Sequence, residues 1–246
     1  MHRLPRMLLA WALLAWGLLP LGVRAMDDAI TLVYSERPPY MDDASHPLPI
    51  GLTATPTVNA FKSAGIPVVW TKLPTNRQLA MVREGLGKVC AIGWFWTPDR
   101  AVFAKFTKPI YRDKDWYILT NADFAARGYA TLEEILSHKE TRILVKDKYS
   151  YGEQLDKLLD KYKPTIAVST ATTTKMVQSI SMGAVDMMFV SEDEGNYIMA
   201  HAGEHAPRLR LLHPRDMPHG PERYIMCTRN VPDDVIARIN KAITFK

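Results

Sequence analysis

Arg100 is the side chain in this 246-residue sequence with the most chemistry to offer. It closes the run Gly93-Trp94-Phe95-Trp96-Thr97-Pro98-Asp99-Arg100, ahead of Phe103, Pro109 and Tyr111. A guanidinium carries five donors in a fixed fork and grips a carboxylate through two parallel hydrogen bonds, which a lysine ammonium does not imitate. The aromatic residues before it bring contact area and faces that attract cations. In an extended segment Trp94, Phe95 and Trp96 alternate sides, so at most two point one way. The run reads as a buried strand opening into a short turn, where rings and a guanidinium converge on one small molecule. Tyr149-Ser150-Tyr151 offers a second set of donors, because it opens a predicted helix whose free N–H groups can receive an anion while Ser150 caps the turn.

These groups need a scaffold, and the chain alternates strand and helix patterns. Ala29 to Tyr34 is an apolar run stopped by Ser35-Glu36-Arg37-Pro38-Pro39-Tyr40, since paired prolines end a strand. Thr55-Pro56 predicts a helix start, with Val58, Phe61 and Ala64 on one face up to Gly65. Val68 to Trp70 is a second strand, Thr75 or Asn76 caps a second helix carrying Leu79, Val82 and Leu86, and Val89 to Gly93 is a third strand. The unit then repeats: strands at 142–145, 165–168 and 186–190, with helices at 153–159 and 172–182 between them. Trp116 to Thr120 and Glu222 to Thr228 read as extended segments suited to a pair of crossings between two units, and a last helix follows Pro232. Such alternation implies mostly parallel sheets whose ligand site lies beyond the carboxyl ends of the strands. Glu36, Arg37, Arg77 and the Trp94 to Arg100 turn all fall at that edge. Convergence of Arg37, Arg77 and Arg100 would suit an anion with more than one acidic group.

Composition narrows the classes. Arg3 and Arg6, the apolar run Met7 to Leu19, and Val23-Arg24-Ala25 predict a signal peptide over residues 1–25 cleaved after Ala25, with an exported product that is not membrane-inserted. The full chain has 31 Lys and Arg against 26 Asp and Glu, or +5; without the three leader arginines the balance is 28 against 26, or +2. That near-neutral remainder gives no footprint for nucleic acid. The seven histidines are scattered, and no Ser-His-Asp, metal-ligand or phosphate-loop constellation occurs. No catalytic residue, metal or cofactor is assigned.

The order G-x-x-x-T-P-[DE]-R, then F, then P-x-Y, across Gly93 to Tyr111 resembles the stretch in family 3 periplasmic solute-binding proteins whose arginine holds a ligand carboxylate. The Tyr34 to Tyr40 block adds to a resemblance that extends over nearly all of the chain after its leader, and that is nearest to a divergent branch. It implies an α/β, two-lobed type 2 periplasmic-binding-protein fold, each lobe a mostly parallel sheet flanked by helices. Lobe 1 would comprise 26–117 and 224–246, lobe 2 would comprise 118–223, and hinge strands would lie near 117–120 and 223–227. It places Glu36, Arg37 and Tyr40 among the first cleft residues, and Arg77 where relatives have a stacking aromatic. Ser150, with the adjacent N–H of Tyr151, matches the turn that completes the carboxylate site. Ser191 stands where amino-acid binders carry the aspartate that pairs with the α-ammonium, with Glu192 and Asp193 one and two residues later. Phe95 replaces a small hydroxyl residue, which leaves the backbone N–H groups of Trp96 and Thr97 as alternative donors. Cys90 and Cys227 would share a lobe, either bridged or as two buried thiols.

The function implied is a monomeric periplasmic binder that closes on a small polar or anionic molecule, amino-acid-like or carboxylate, and hands it to an inner-membrane ABC permease. Two alternatives remain on the same scaffold. One is a periplasmic enzyme resembling cyclohexadienyl dehydratase, for which Glu36, Glu192 and Asp193 are the carboxylates available. The other is a ligand-sensing module serving a separate receptor.

Overall fold

The computed structural model describes residues 29–44 and 47–245. The predicted leader lies outside the described residues. No helix among them is long and apolar enough to cross a membrane.

Two sheets organise the chain. In the first, β1 (Ile30–Tyr34) lies between β2 (Val68–Lys72) and β3 (Val89–Phe95), all parallel. Then β4 (Ala104–Phe106) and β5 (Tyr111–Arg112) precede the crossing to the second sheet, and both pair antiparallel with β11 (Glu222–Thr228), which returns to lie against β3. The second sheet has the order β10-β6-β9-β7-β8, formed by Trp116–Asn121 (β6), Arg142–Lys146 (β7), Thr165–Ser169 (β8), Met187–Ser191 (β9) and Leu209–Leu212 (β10). Here β7 runs parallel to β8 and β9, while β6 is antiparallel to β9 and β10.

Helices cover these sheets because their apolar positions recur on one face. The Ala54–Ser63 helix buries Thr57, Ala60 and Phe61, and the Asp233–Ala242 helix packs Ile236 and Ile239 into the same cluster as Ile30 and Leu32. The cap of the Ala54–Ser63 helix is Thr53, two residues before the predicted Thr55, which places Pro56 inside the first turn, where the missing N–H has no helical partner to lose. The Thr75–Glu84 helix ends on Gly85 at φ 68°, so Leu86, expected on its buried face, lies beyond it and is exposed. In the second unit, Leu132, Ile135, Leu136 and Leu155 pack on one side of β6, β7 and β9, and Met176, Val177 and Ile180 on the other.

Cys90 and Cys227 sit opposite each other on β3 and β11, fully buried and joined by a disulfide. The chain leaves the first sheet after Arg112 and returns at Glu222, and the two connecting stretches run side by side. The Asp113 N–H donates to Pro221 O at 3.0 Å and the Trp116 N–H to Pro218 O at 3.3 Å. A Cβ at Gly220 would lie 2.0 Å from Lys114 O, so only glycine admits this approach.

Candidate functional site

Pro98 begins a one-turn helix, Pro98–Ala101, capped by Thr97, whose hydroxyl accepts the Arg100 N–H at 3.3 Å. The turn folds Arg100 back under the end of β3. Its Nη1 donates to Phe95 O at 2.9 Å, its Nη2 reaches Lys148 O of the second lobe at 3.5 Å, and the guanidinium lies 4.8 Å from the Trp94 ring centroid. Arg100 is 8% exposed, and among the described residues no carboxylate forms an ion pair with it. Burial lowers its pKa to about 10 against the pull of Asp156, which leaves it charged at neutral pH.

The three aromatics part ways. Trp94 packs toward Leu79 and Val82, its Nε1 donating to Gln78 Oε1 at 3.4 Å. Phe95 crosses to the other lobe and packs edge-on against Trp116. Trp96 is 48% exposed. Gly93 makes this possible: its φ of 75° and the register shift opposite it, between Tyr224 and Ile225, break the regular alternation of the strand.

Both Trp94 and Phe95 line an inner cavity of about 60 Å³ between the lobes, together with Thr75, Arg100, Tyr149 and Ser150. A wider groove of about 560 Å³ opens outside it, bordered by Glu36, Lys72, Lys146 and Thr172. Arg37, Thr75 and Tyr149 line both spaces, and the Thr75 and Tyr149 hydroxyls meet at 3.2 Å across the lobes.

Two other guanidiniums reach the inner cavity, each with its own carboxylate. Arg223 pairs bidentately with Asp113, with both oxygens at 2.7 Å, and lies 4.0 Å from the Tyr40 ring centroid and 4.4 Å from that of Phe95. Burial lowers and Asp113 raises the Arg223 pKa, the carboxylate prevailing. Arg37, from the first loop, pairs bidentately across the cleft with Glu194, both contacts at 2.7 Å. Beside it Tyr40 shares a hydrogen bond with Ser191, and Tyr111 donates to Asp193. Lobe closure is thus carried by protein side chains. Replacing Glu194 with glutamine is expected to lower stability by about 1–3 kcal/mol through the lost charge-assisted bonds. It should also enlarge the radius of gyration in small-angle scattering, and an unchanged radius would argue against a latch.

The remaining predicted positions are dispersed. Ser150 borders the inner cavity, but its hydroxyl and the Tyr151 N–H both bind Asp156 of the following helix (Glu153–Tyr162), which fills that nest from within. The Tyr151 ring is buried against Trp116 and Phe189. Ser191 caps the Glu192–His201 helix and is fully buried. Glu192 faces Lys114 at 3.5 Å, and Glu36 pairs with Lys72 at 2.6 Å on the outer groove. Arg77 is exposed, and its neighbour Gln78 takes the place on the cavity wall. The residues that sequence reasoning missed are Thr75, Gln78, Tyr149, Glu194 and the Asp113–Arg223 pair. Three of them had a local signal: Thr75 as a predicted helix cap, Tyr149 in the run Tyr149-Ser150-Tyr151, and Glu194 in the acidic run Glu192-Asp193-Glu194 at a helix start.

No family model and no curated protein sequence matches the chain. Solved structures do. An ancestral arginine-binding protein bound to arginine aligns with a TM-score of 0.69 at 14% identity, over 87% of this chain and 90% of that one. The amino acid ABC transporter substrate-binding protein AbpA from Streptococcus pneumoniae, bound to L-arginine, aligns with a TM-score of 0.69 at 12% identity, over 90% and 89%. The ancestral amino-acid-binding protein AncCDT-1, a precursor of cyclohexadienyl dehydratase, gives 0.67 at 14% identity, over 90% and 89%. At these identities the likeness speaks for architecture: the chain has the two-lobed α/β type 2 periplasmic-binding fold that these amino-acid-binding proteins share.

Proposed function

We propose that the chain is a periplasmic solute-binding protein whose lobes close on a small anionic ligand, with Arg100 gripping its carboxylate and an inner-membrane ABC permease receiving it. One observation carries the reading: a buried, charged Arg100, with no carboxylate paired to it among the described residues, faces a cavity between the lobes. Leaving a buried charge unpaired is costly unless something supplies the counter-charge, and a bound anion does so. The lobes divide at the two connections, within a few residues of 117 and 224, and these act as the hinge.

The enzymatic alternative receives less support. AncCDT-1 is a precursor of a dehydratase, yet Glu36, Glu192 and Asp193 stand outside the inner cavity, in contact with Lys72 and Lys114. A thermal-shift panel on the protein from residue 26 onward tests the proposal. Carboxylic acids or amino acids that bind the native state should raise the midpoint with concentration, and flat curves for every small anion and amino acid would count against it.

A further inference from the structure

The charge inventory of the inner cavity narrows its ligand. Three guanidiniums line it, and two are already neutralised, Arg37 by Glu194 and Arg223 by Asp113. Among the described residues Arg100 alone has no carboxylate in an ion pair with it, Asp156 acting on it without such a contact, and no Asp or Glu lines the space. A ligand ammonium would face Arg37 and Arg223 with no carboxylate of its own to meet. An ion carrying two negative charges would leave one of them buried and unpaired. The walls include Trp94, Phe95, Met41 and Ile92, which favour an anion with a carbon skeleton, while Ser35, Thr75 and Tyr149 offer hydroxyls.

Resting on the solute-binding reading, we propose that the cavity takes a small monocarboxylate bearing a hydroxyl or carbonyl group, and discriminates against the α-amino acid of the same shape. The carboxylate lies on Arg100 between the Trp94 and Phe95 rings, and the neutral oxygen substituent takes a hydrogen bond from whichever hydroxyl of the Thr75–Tyr149 pair does not donate to the other.

Isosteric pairs test this by calorimetric titration of the protein from residue 26 onward: glycolate against glycine, and L-lactate against L-alanine, with sulfate and nitrate alongside. The hydroxy acids should bind roughly 10–100-fold more tightly than their amino counterparts, the factor expected when a charged group is buried without its hydrogen-bond partner. Lactate binding should vanish in Arg100→Ala and persist in Arg77→Ala, whose side chain is exposed outside the cavity. Equal or tighter binding of the amino acids overturns the proposal and leaves the solute-binding reading standing. Binding of sulfate or nitrate alone does the same. No binding by any of them, or by larger amino acids in the thermal-shift panel, overturns both.

Discussion

Alanine at position 113 should destabilise the protein by about 3–5 kcal/mol, a fall of roughly 10 °C in Tm for a domain of this size, by calorimetry. Asp113 is 4% exposed and Arg223 is also 4% exposed, so the mutation strands a guanidinium where water cannot reach it. Arg223 also donates to Gly93 O at 3.0 Å and stacks on Tyr40 and Phe95. It therefore ties the end of β3, the first loop and the connection between the lobes to one charge. Burial raises the Asp113 pKa against the opposing pull of the Arg223 guanidinium, whose two hydrogen bonds hold the carboxylate. Breaking a buried pair costs more than removing both members, since the loss comes mainly from the charge left behind. A double replacement, Asp113→Leu with Arg223→Met, should accordingly lose less than Asp113→Ala alone; an equal or greater loss would assign the effect to packing.

Removing the disulfide is the other large effect. Cys90 and Cys227 are 137 residues apart, and nearly the whole second unit lies in the loop they close. In the chain-entropy account a loop of that length confers about 5 kcal/mol by restricting the unfolded chain, near the top of the usual range of about 2–5 kcal/mol for native bridges. Cys90→Val with Cys227→Val should lower the denaturant midpoint and raise m, because the unfolded chain without the cross-link is less compact and exposes more surface. Because both cysteines are fully buried, reductant should act slowly on the native protein and quickly once denaturant opens it. A midpoint unchanged by the double replacement would show that the strand pairing of β3 and β11 suffices without the bond.

Much of the architecture is legible in the sequence. Pro38-Pro39 stops β1, and the apolar faces of Phe61, Leu79, Val82 and Leu155 turn inward as their spacing predicts, while the Thr75–Glu84 helix ends on Gly85 and not on Gly87, where its apolar spacing pointed. Local periodicity and punctuation suffice for such elements because each is decided within a few turns of chain. The extended segments at 116–121 and 222–228 were legible as strands, but not their place as inner strands of opposite sheets, since that depends on pairing over long range. The site was less legible for the same reason. Arg37 and Glu194 are 157 residues apart and Asp113 and Arg223 are 110 apart, and nothing within either neighbourhood announces the other. The Trp94, Phe95 and Trp96 directions depend on Gly93 at φ 75°, a backbone choice that alternation alone does not reveal. Ser150 and Tyr151 carry the expected donors at the expected turn, yet Asp156, one helical turn on, accepts both. Arg100 could be singled out because its reach is set locally, by the Thr97 cap and the Pro98 turn.

The central claim is that Arg100 waits in a cleft between lobes for the counter-charge of a small anion. Calorimetric titration of the tightest-binding acid into the wild-type protein, Arg100→Lys and Arg100→Ala tests it most directly. The account predicts saturable one-to-one binding in the wild type, binding weakened by roughly tenfold or more in the lysine variant, which keeps the charge but loses the fork, and no measurable binding in the alanine variant. Undiminished affinity in Arg100→Ala, with the fold intact, would contradict it.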